Sequence, residues 1–111
     1  MRNLILFSLI ATLSFALEKD YQTKLCNQLK GKMEYRLHDG SRVDCLTDKY
    51  AIEVDFSKKW KEAIGQALYY GVETNKQPAI AIITNGHDDN NLRKLEAVTM
   101  KYNIKVFYIK E

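Results

Sequence analysis

One proline, Pro78, and five glycines in 111 residues leave no room for a Pro- or Gly-rich linker or a low-complexity stretch. Cysteine and histidine are as sparse. Cys26 and Cys45 alone make no zinc site, and neither has a histidine at ligand spacing. His38 and His87 lie far apart, in segments that read as exposed loops. No Gly-rich phosphate loop and no Ser-nucleophile motif occurs. The polar run Asn85-Gly86-His87-Asp88-Asp89-Asn90-Asn91 lacks the closing Glu of a calcium loop and reads as a helix-capping loop. Charge of one sign is also in short supply. Seventeen Lys and Arg against 14 Asp and Glu leave +3, too little to announce a nucleic-acid or membrane partner by itself. No internal repeat is present.

No apolar run is long enough to span a bilayer, which takes ~20 residues. The run from Leu4 to Leu13 follows Met1-Arg2-Asn3 and precedes Ser14-Phe15-Ala16. A positive start, a short apolar stretch and small residues ahead of a cleavage point are the parts of a secretory signal peptide. The expected organisation is therefore a signal peptide over 1–16 and one domain over 17–111, with no membrane contact after cleavage. The compartment implied is the bacterial periplasm or the medium. There Cys26 and Cys45 can persist as a disulfide, with two buried thiols or one reactive thiol as the other readings.

What the sequence does have is ordinary globular material, 46% hydrophobic and 28% charged, which excludes disorder. Tyr21, Leu25 and Leu29 recur at helical spacing, and Gly31 follows as a stop. Met33 to Leu37 and Arg42 to Leu46 read as strands around His38-Asp39-Gly40-Ser41, a hairpin signal. Tyr50 to Val54 is a third strand, and Ser57 can cap a helix running to about Val72. Ala79 to Ile83 and Ile104 to Ile109 are apolar strands. They flank a helix capped by Asp88 or Asp89, with Leu92, Leu95, Val98 and Tyr102 on one face. The order αβββαβαβ predicts a mixed α/β sheet with helices on both faces, its last half built from strand–helix–strand units.

Acidic residues are gathered on the middle strands. Glu53 and Asp55 share one face of the third strand, and Asp44 lies on the adjacent one. Carboxylates converging from two strands are what a hard divalent cation such as Mg²⁺ takes. Glu34 joins them if the hairpin turn holds three residues and falls on the other face if it holds two. The alternative is a polar sheet edge paired with Lys49, Lys58 or Lys59. On the following helix Lys59, Gln66 and Tyr70 form one stripe, beside the apolar stripe of Trp60, Ile64, Ala67 and Leu68. The helix N-terminus points towards the acids, where phosphate binding is physically easy. Lys58, Lys59 and Lys61 make a short basic run beside Trp60 that could track a phosphate backbone or be a solvated helix end.

Asp44, an eight-residue gap and Glu53-Val54-Asp55 resemble the PD-(D/E)XK nuclease core. Gln66-x-x-x-Tyr70 is similar to the Gln-x-x-x-Tyr motif of its RecB-like branch. The resemblance covers roughly Glu18 to Thr84 and extends to small exported bacterial members. It implies a restriction-endonuclease-like fold and Mg²⁺- or Mn²⁺-dependent hydrolysis of nucleic acid, DNA above all. Asp44, Glu53 and the Val54 carbonyl would hold the metal, Glu34 would be a further acid, and Gln66 and Tyr70 would orient water or the strand. The family's lysine two residues after the second acid is Asp55 here. Three readings follow. Lys59 supplies the charge from the helix, or Asp55 binds a second metal, or the domain is an inactive module that binds nucleic acid or a protein. A chain this small covers little duplex, so a homodimer would help.

Overall fold

The computed structural model describes residues 17–111, and the segment read as a signal peptide lies outside them. A first helix, α1, covers residues 17–28. Then follow β1 (Lys32–Arg36), β2 (Arg42–Leu46), β3 (Tyr50–Phe56), a 3-10 turn (Ser57–Lys59), α2 (Trp60–Thr74), β4 (Gln77–Thr84), α3 (Asp89–Lys101) and β5 (Lys105–Lys110). The five strands form one mixed sheet in the order β1-β2-β3-β4-β5. β1, β2 and β3 pair antiparallel, while β3, β4 and β5 pair parallel through the crossover helices α2 and α3. The described residues thus form a small mixed α/β domain with a five-stranded sheet and three helices. No helix among the described residues is long and apolar enough to cross a membrane.

Alternation along β3 and β4 divides the core. Ile52, Val54, Ala79, Ala81 and Ile83 pack on one side against Tyr21, Leu25 and Leu29 of α1. Ile80 and Ile82 pack on the other side against Ala63, Ala67 and Leu95 of α2 and α3. β4 is buried along Ala79–Ile83, as a strand covered on both faces must be. The helix faces differ in detail from the periodicity. In α2 the buried residues are Ala63, Ala67, Tyr70 and Gly71, and Leu68 is exposed. In α3 Thr99 is buried, while Tyr102 sits beyond the last turn and is exposed.

Ser57 does not cap α2, because the 3-10 turn displaces the helix start to Trp60. Its hydroxyl instead donates to Asp88, which also accepts the Thr84 hydroxyl. One carboxylate thereby ties the ends of β3 and β4 to the start of α3.

Cys26 and Cys45 form a disulfide that joins α1 to β2. Lys30 takes the left-handed conformation that ends α1, with φ 56°, and the Gly31 N–H returns to the Cys26 carbonyl at 2.9 Å. Gly31 is there for want of space. A Cβ on it would stand 2.5 Å from Cys45 Sγ, 2.9 Å from Cys26 Sγ and 3.0 Å from the Leu46 carbonyl oxygen. Neither a disulfide nor a strand backbone yields cheaply, so Gly31→Ala should destabilise by roughly 1–3 kcal/mol. Thermal unfolding of this variant, alone and combined with Cys26→Ala and Cys45→Ala, tests the cause. The penalty should shrink once the sulfurs are gone, and an undiminished penalty would locate the clash elsewhere.

Candidate functional site

The site begins where the sheet splits. β2 and β3 are paired only at Cys45↔Ile52 and Leu46↔Ala51, and β2 then parts from β3. Val43 packs with Ala51 and Tyr70 on the α2 side, whereas Cys45 belongs to the α1 side, so the two-residue alternation breaks at Asp44. Opposite, Glu34 has φ 54°, a left-handed conformation in mid-strand that costs about 1 kcal/mol or more. The hairpin turn holds three residues, with Leu37 N–H bonded to the Ser41 carbonyl at 2.8 Å and Gly40 at φ 91°. That register sets Glu34 across from Asp44.

Parting strands strand their ladder groups, and side chains take them up. The Val54 N–H donates to Asp44 Oδ2 at 2.8 Å, and the Phe56 N–H donates to Asp55 Oδ1 at 3.0 Å. The Asp44 carbonyl accepts from Gln22 Nε2 of α1 at 2.9 Å, and Gln22 is only 4% exposed. These bonds satisfy the backbone at a place where unpaired buried groups would be costly.

Around this fork lie four carboxyl groups, from Glu18, Asp44, Glu53 and Asp55. Among the described residues none of them has a cationic side chain within ion-pair distance; Lys19 is engaged with Glu34 at 2.8 Å. Burial first, and then the neighbouring acids, hold the Glu53 carboxyl far above the usual range, and Asp44 is raised by burial as well. Burial and the nearby Asp55 and Asp44 push Glu18 up to about 7. Asp55 rises to about 6, again through burial, which its bond to the Phe56 N–H and the Lys59 charge only partly offset. Burial together and mutual repulsion therefore favour the protonated forms of these acids in the folded chain.

The other residues singled out in the sequence are distributed around this centre. Gln66, on the exposed side of α2, donates its amide nitrogen to both Glu53 oxygens, at 3.0 Å to Oε1. Tyr70 lies in the core with Leu37, Val43 and Ala51 rather than on a stripe beside the apolar one, and burial beside Glu53 pushes its hydroxyl up to about 12. Lys59 lies close enough to act electrostatically on Glu18 and Asp55. Lys58 instead lines a separate cleft of about 300 Å³ with Phe56, Asn85 and Asp88, and the Lys61 ammonium lies over the Trp60 ring at 5.6 Å. The three lysines do not form one strip.

Sequence reasoning missed Glu18 and Gln22. The available signal was their spacing with Cys26, at i, i+4 and i+8, which makes one polar stripe of α1 beside the apolar one.

The donor set is all oxygen, the chemistry that Mg²⁺ or Mn²⁺ takes, and buried carboxyls without counter-charges suit a cation. A preformed metal centre, however, is not what the residues make. Among the described residues no group of three or more His, Cys, Asp or Glu side chains is arranged to hold an ion.

Comparison with known proteins gives three similar sequences, all KilA-N domain-containing proteins of Acanthamoeba polyphaga mimivirus. They are 34%, 32% and 33% identical over 87, 90 and 93 residues, which is 78%, 80% and 83% of this chain. The chain spans only 24%, 35% and 24% of their lengths. No family model matches, and no solved structure matches.

These relatives overturn the membership in the PD-(D/E)XK nuclease superfamily that the motif spacing implies, and with it the assignment as a Mg²⁺/Mn²⁺-dependent phosphodiesterase. The terms nuclease and hydrolase go with it. The fork supplies the physical reason for the misleading spacing. Asp44 and Asp55 stand where they do to take the N–H groups of Val54 and Phe56, and Asp55 occupies the place a catalytic lysine would need.

Proposed function

We propose that this domain is a non-catalytic module that binds nucleic acid, DNA in particular, through a divalent cation held at the β2–β3 fork. The observation that carries the reading is the group of four carboxyls, gathered beside Gln66 and Lys59, that have no cationic partner among the described residues. Asp44, Glu53 and the Val54 carbonyl would hold Mg²⁺ or Mn²⁺, with Glu34 and Asp55 adding negative charge. The cation would supply the positive charge that lets a phosphate approach an otherwise acidic fork. Gln66 fixes the Glu53 carboxyl, and Tyr70 fills the core beneath it. Lys59 adds positive charge at the rim, and Lys58 and Lys61 contribute at longer range. The KilA-N names of the relatives are compatible with a nucleic-acid ligand. A compartment that keeps the Cys26–Cys45 bridge oxidised suits the same reading.

Fluorescence anisotropy of labelled duplex DNA, single-stranded DNA and RNA, in Mg²⁺, Mn²⁺ or EDTA, tests this. Duplex DNA should bind at least about tenfold more tightly with either cation than in EDTA, a difference of about 1.4 kcal/mol. Asp44→Asn combined with Glu53→Gln should remove the difference. Equal binding in EDTA would sink the cation, and binding to no nucleic acid under any condition would sink the module.

A further inference from the structure

Arg36 and Arg42 stand directly opposite each other on β1 and β2. Both are exposed, and among the described residues neither is ion-paired with a carboxylate. Residues 1–16 contain no Asp or Glu that could supply one. Cross-strand partners share one face of a sheet, and like charges placed so are destabilising. The neighbouring Leu37–Ser41 pair carries a ladder hydrogen bond. The alternation of antiparallel pairing then makes Arg36–Arg42 the non-hydrogen-bonded kind, in which side chains stand closest. Two guanidinium groups held together at the tip of the hairpin, without a carboxylate counter-ion among the described residues, form a fork for an oxyanion, and arginine presents its donors in the geometry that phosphate accepts.

Their position relates them to the acidic fork. Glu34 and Asp44 occupy the register pair two residues further along the same hairpin, about 7 Å away at strand spacing. The three-residue turn and the Tyr69 hydroxyl on Asp39 pin the hairpin tip to α2, so the arginines are carried on a fixed element. We infer that Arg36 and Arg42 form a phosphate clamp that grips the nucleic-acid backbone next to the cation site. This inference rests on the nucleic-acid reading above and adds to it a contact surface distinct from the lysine run. The clamp reads phosphate and not base edges, so it adds affinity without sequence preference.

The test is the salt dependence of duplex DNA binding in Mg²⁺ for the full chain, compared with Arg36→Gln, Arg42→Gln and the double variant. Each phosphate contact contributes about 0.9 to the slope of log K against log salt, so the double variant should lose about 1.8 from it. Affinity at low salt should fall at least about tenfold. Both side chains are exposed, so an unchanged circular dichroism spectrum and Tm should accompany the loss. Wild-type affinity and slope in the double variant would overturn the clamp and leave the module standing. If the wild-type chain binds no nucleic acid while remaining folded, the module falls and the clamp with it. An equal loss in a Lys24→Gln, Lys94→Gln control would also overturn the clamp, because it would make the effect one of net charge alone.

Discussion

Raising the pH from 5 to 8 in EDTA should lower the Tm of this protein by about 8–24 °C, and Mg²⁺ or Mn²⁺ should restore most of the loss at pH 8 and little at pH 5. The sign follows from the fork. Glu53, Glu18, Asp55 and Asp44 all hold their protons more tightly in the folded chain than in the unfolded one, chiefly because they are buried together. Above the ordinary carboxylate pKa the folded state therefore binds more protons than the unfolded state, and stability falls as pH rises. Glu18 at about 7 and Asp55 at about 6 place the steepest part of the fall between pH 5 and 8, and Glu53 extends it to higher pH. Each pKa unit corresponds to about 1.4 kcal/mol. A combined loss on the order of 2–3 kcal/mol is expected, and each kcal/mol is worth about 4–8 °C in a domain of this size. A cation that binds only the folded, deprotonated fork adds stability by mass action. Glu53→Gln should flatten the pH dependence and abolish the cation effect. A Tm that rises from pH 5 to pH 8 in EDTA would contradict the burial of these carboxyls as the source of their raised pKa values.

Reducing the Cys26–Cys45 bridge should cost about 3 kcal/mol, since the two cysteines are 19 residues apart and the crosslink restricts the unfolded chain accordingly. In Tm this is about 12–24 °C, measured with and without dithiothreitol and checked with Cys26→Ala plus Cys45→Ala. The effect should reach the fork as well. Glu18 and Gln22 lie on the same stripe of α1 as Cys26, and Gln22 holds the carbonyl of Asp44, the residue before Cys45. Releasing the helix loosens two of the groups around the site, so cation-dependent DNA binding should weaken below the melting transition. A reduced protein that melts within 2–3 °C of the oxidised one, a small fraction of that estimate, would show that packing alone holds α1.

The architecture was legible because its signals are local and redundant. Alternation in Arg42–Leu46, the unbroken run Ala79–Ile83 and the stop after Leu29 each mark one element, and their order leaves few topologies. The start of α2 was misread because Ser57 carries a good capping side chain whose true partner, Asp88, is 31 residues away. The acids of β2 and β3 were also legible as a group, since alternation places Glu53 and Asp55 on one face. Their chemistry was not. Whether the turn held two or three residues decided where Glu34 went, and composition could not settle that. The fork has no sequence signature. Asp44 and Asp55 read as ligands awaiting a cation, although each already binds a backbone N–H that the parted strands leave free. The partners from α1 required tertiary contact to be seen at all.

The last strand has a consequence for how these molecules meet one another. Among the described residues β5 is an edge, with one side of its backbone unpaired, and it begins with Lys105 and ends with Lys110. The two lysines are five residues apart and so point to opposite faces of the strand, leaving one charge on each face near either end of this edge. Charged lysines on an edge strand oppose the addition of another strand, so the pair act as guards on a strand whose interior, Val106-Phe107-Tyr108-Ile109, would otherwise template sheet extension. Exchanging both lysines for threonine would remove the guard while keeping strand propensity, and concentration-dependent association would be its visible result.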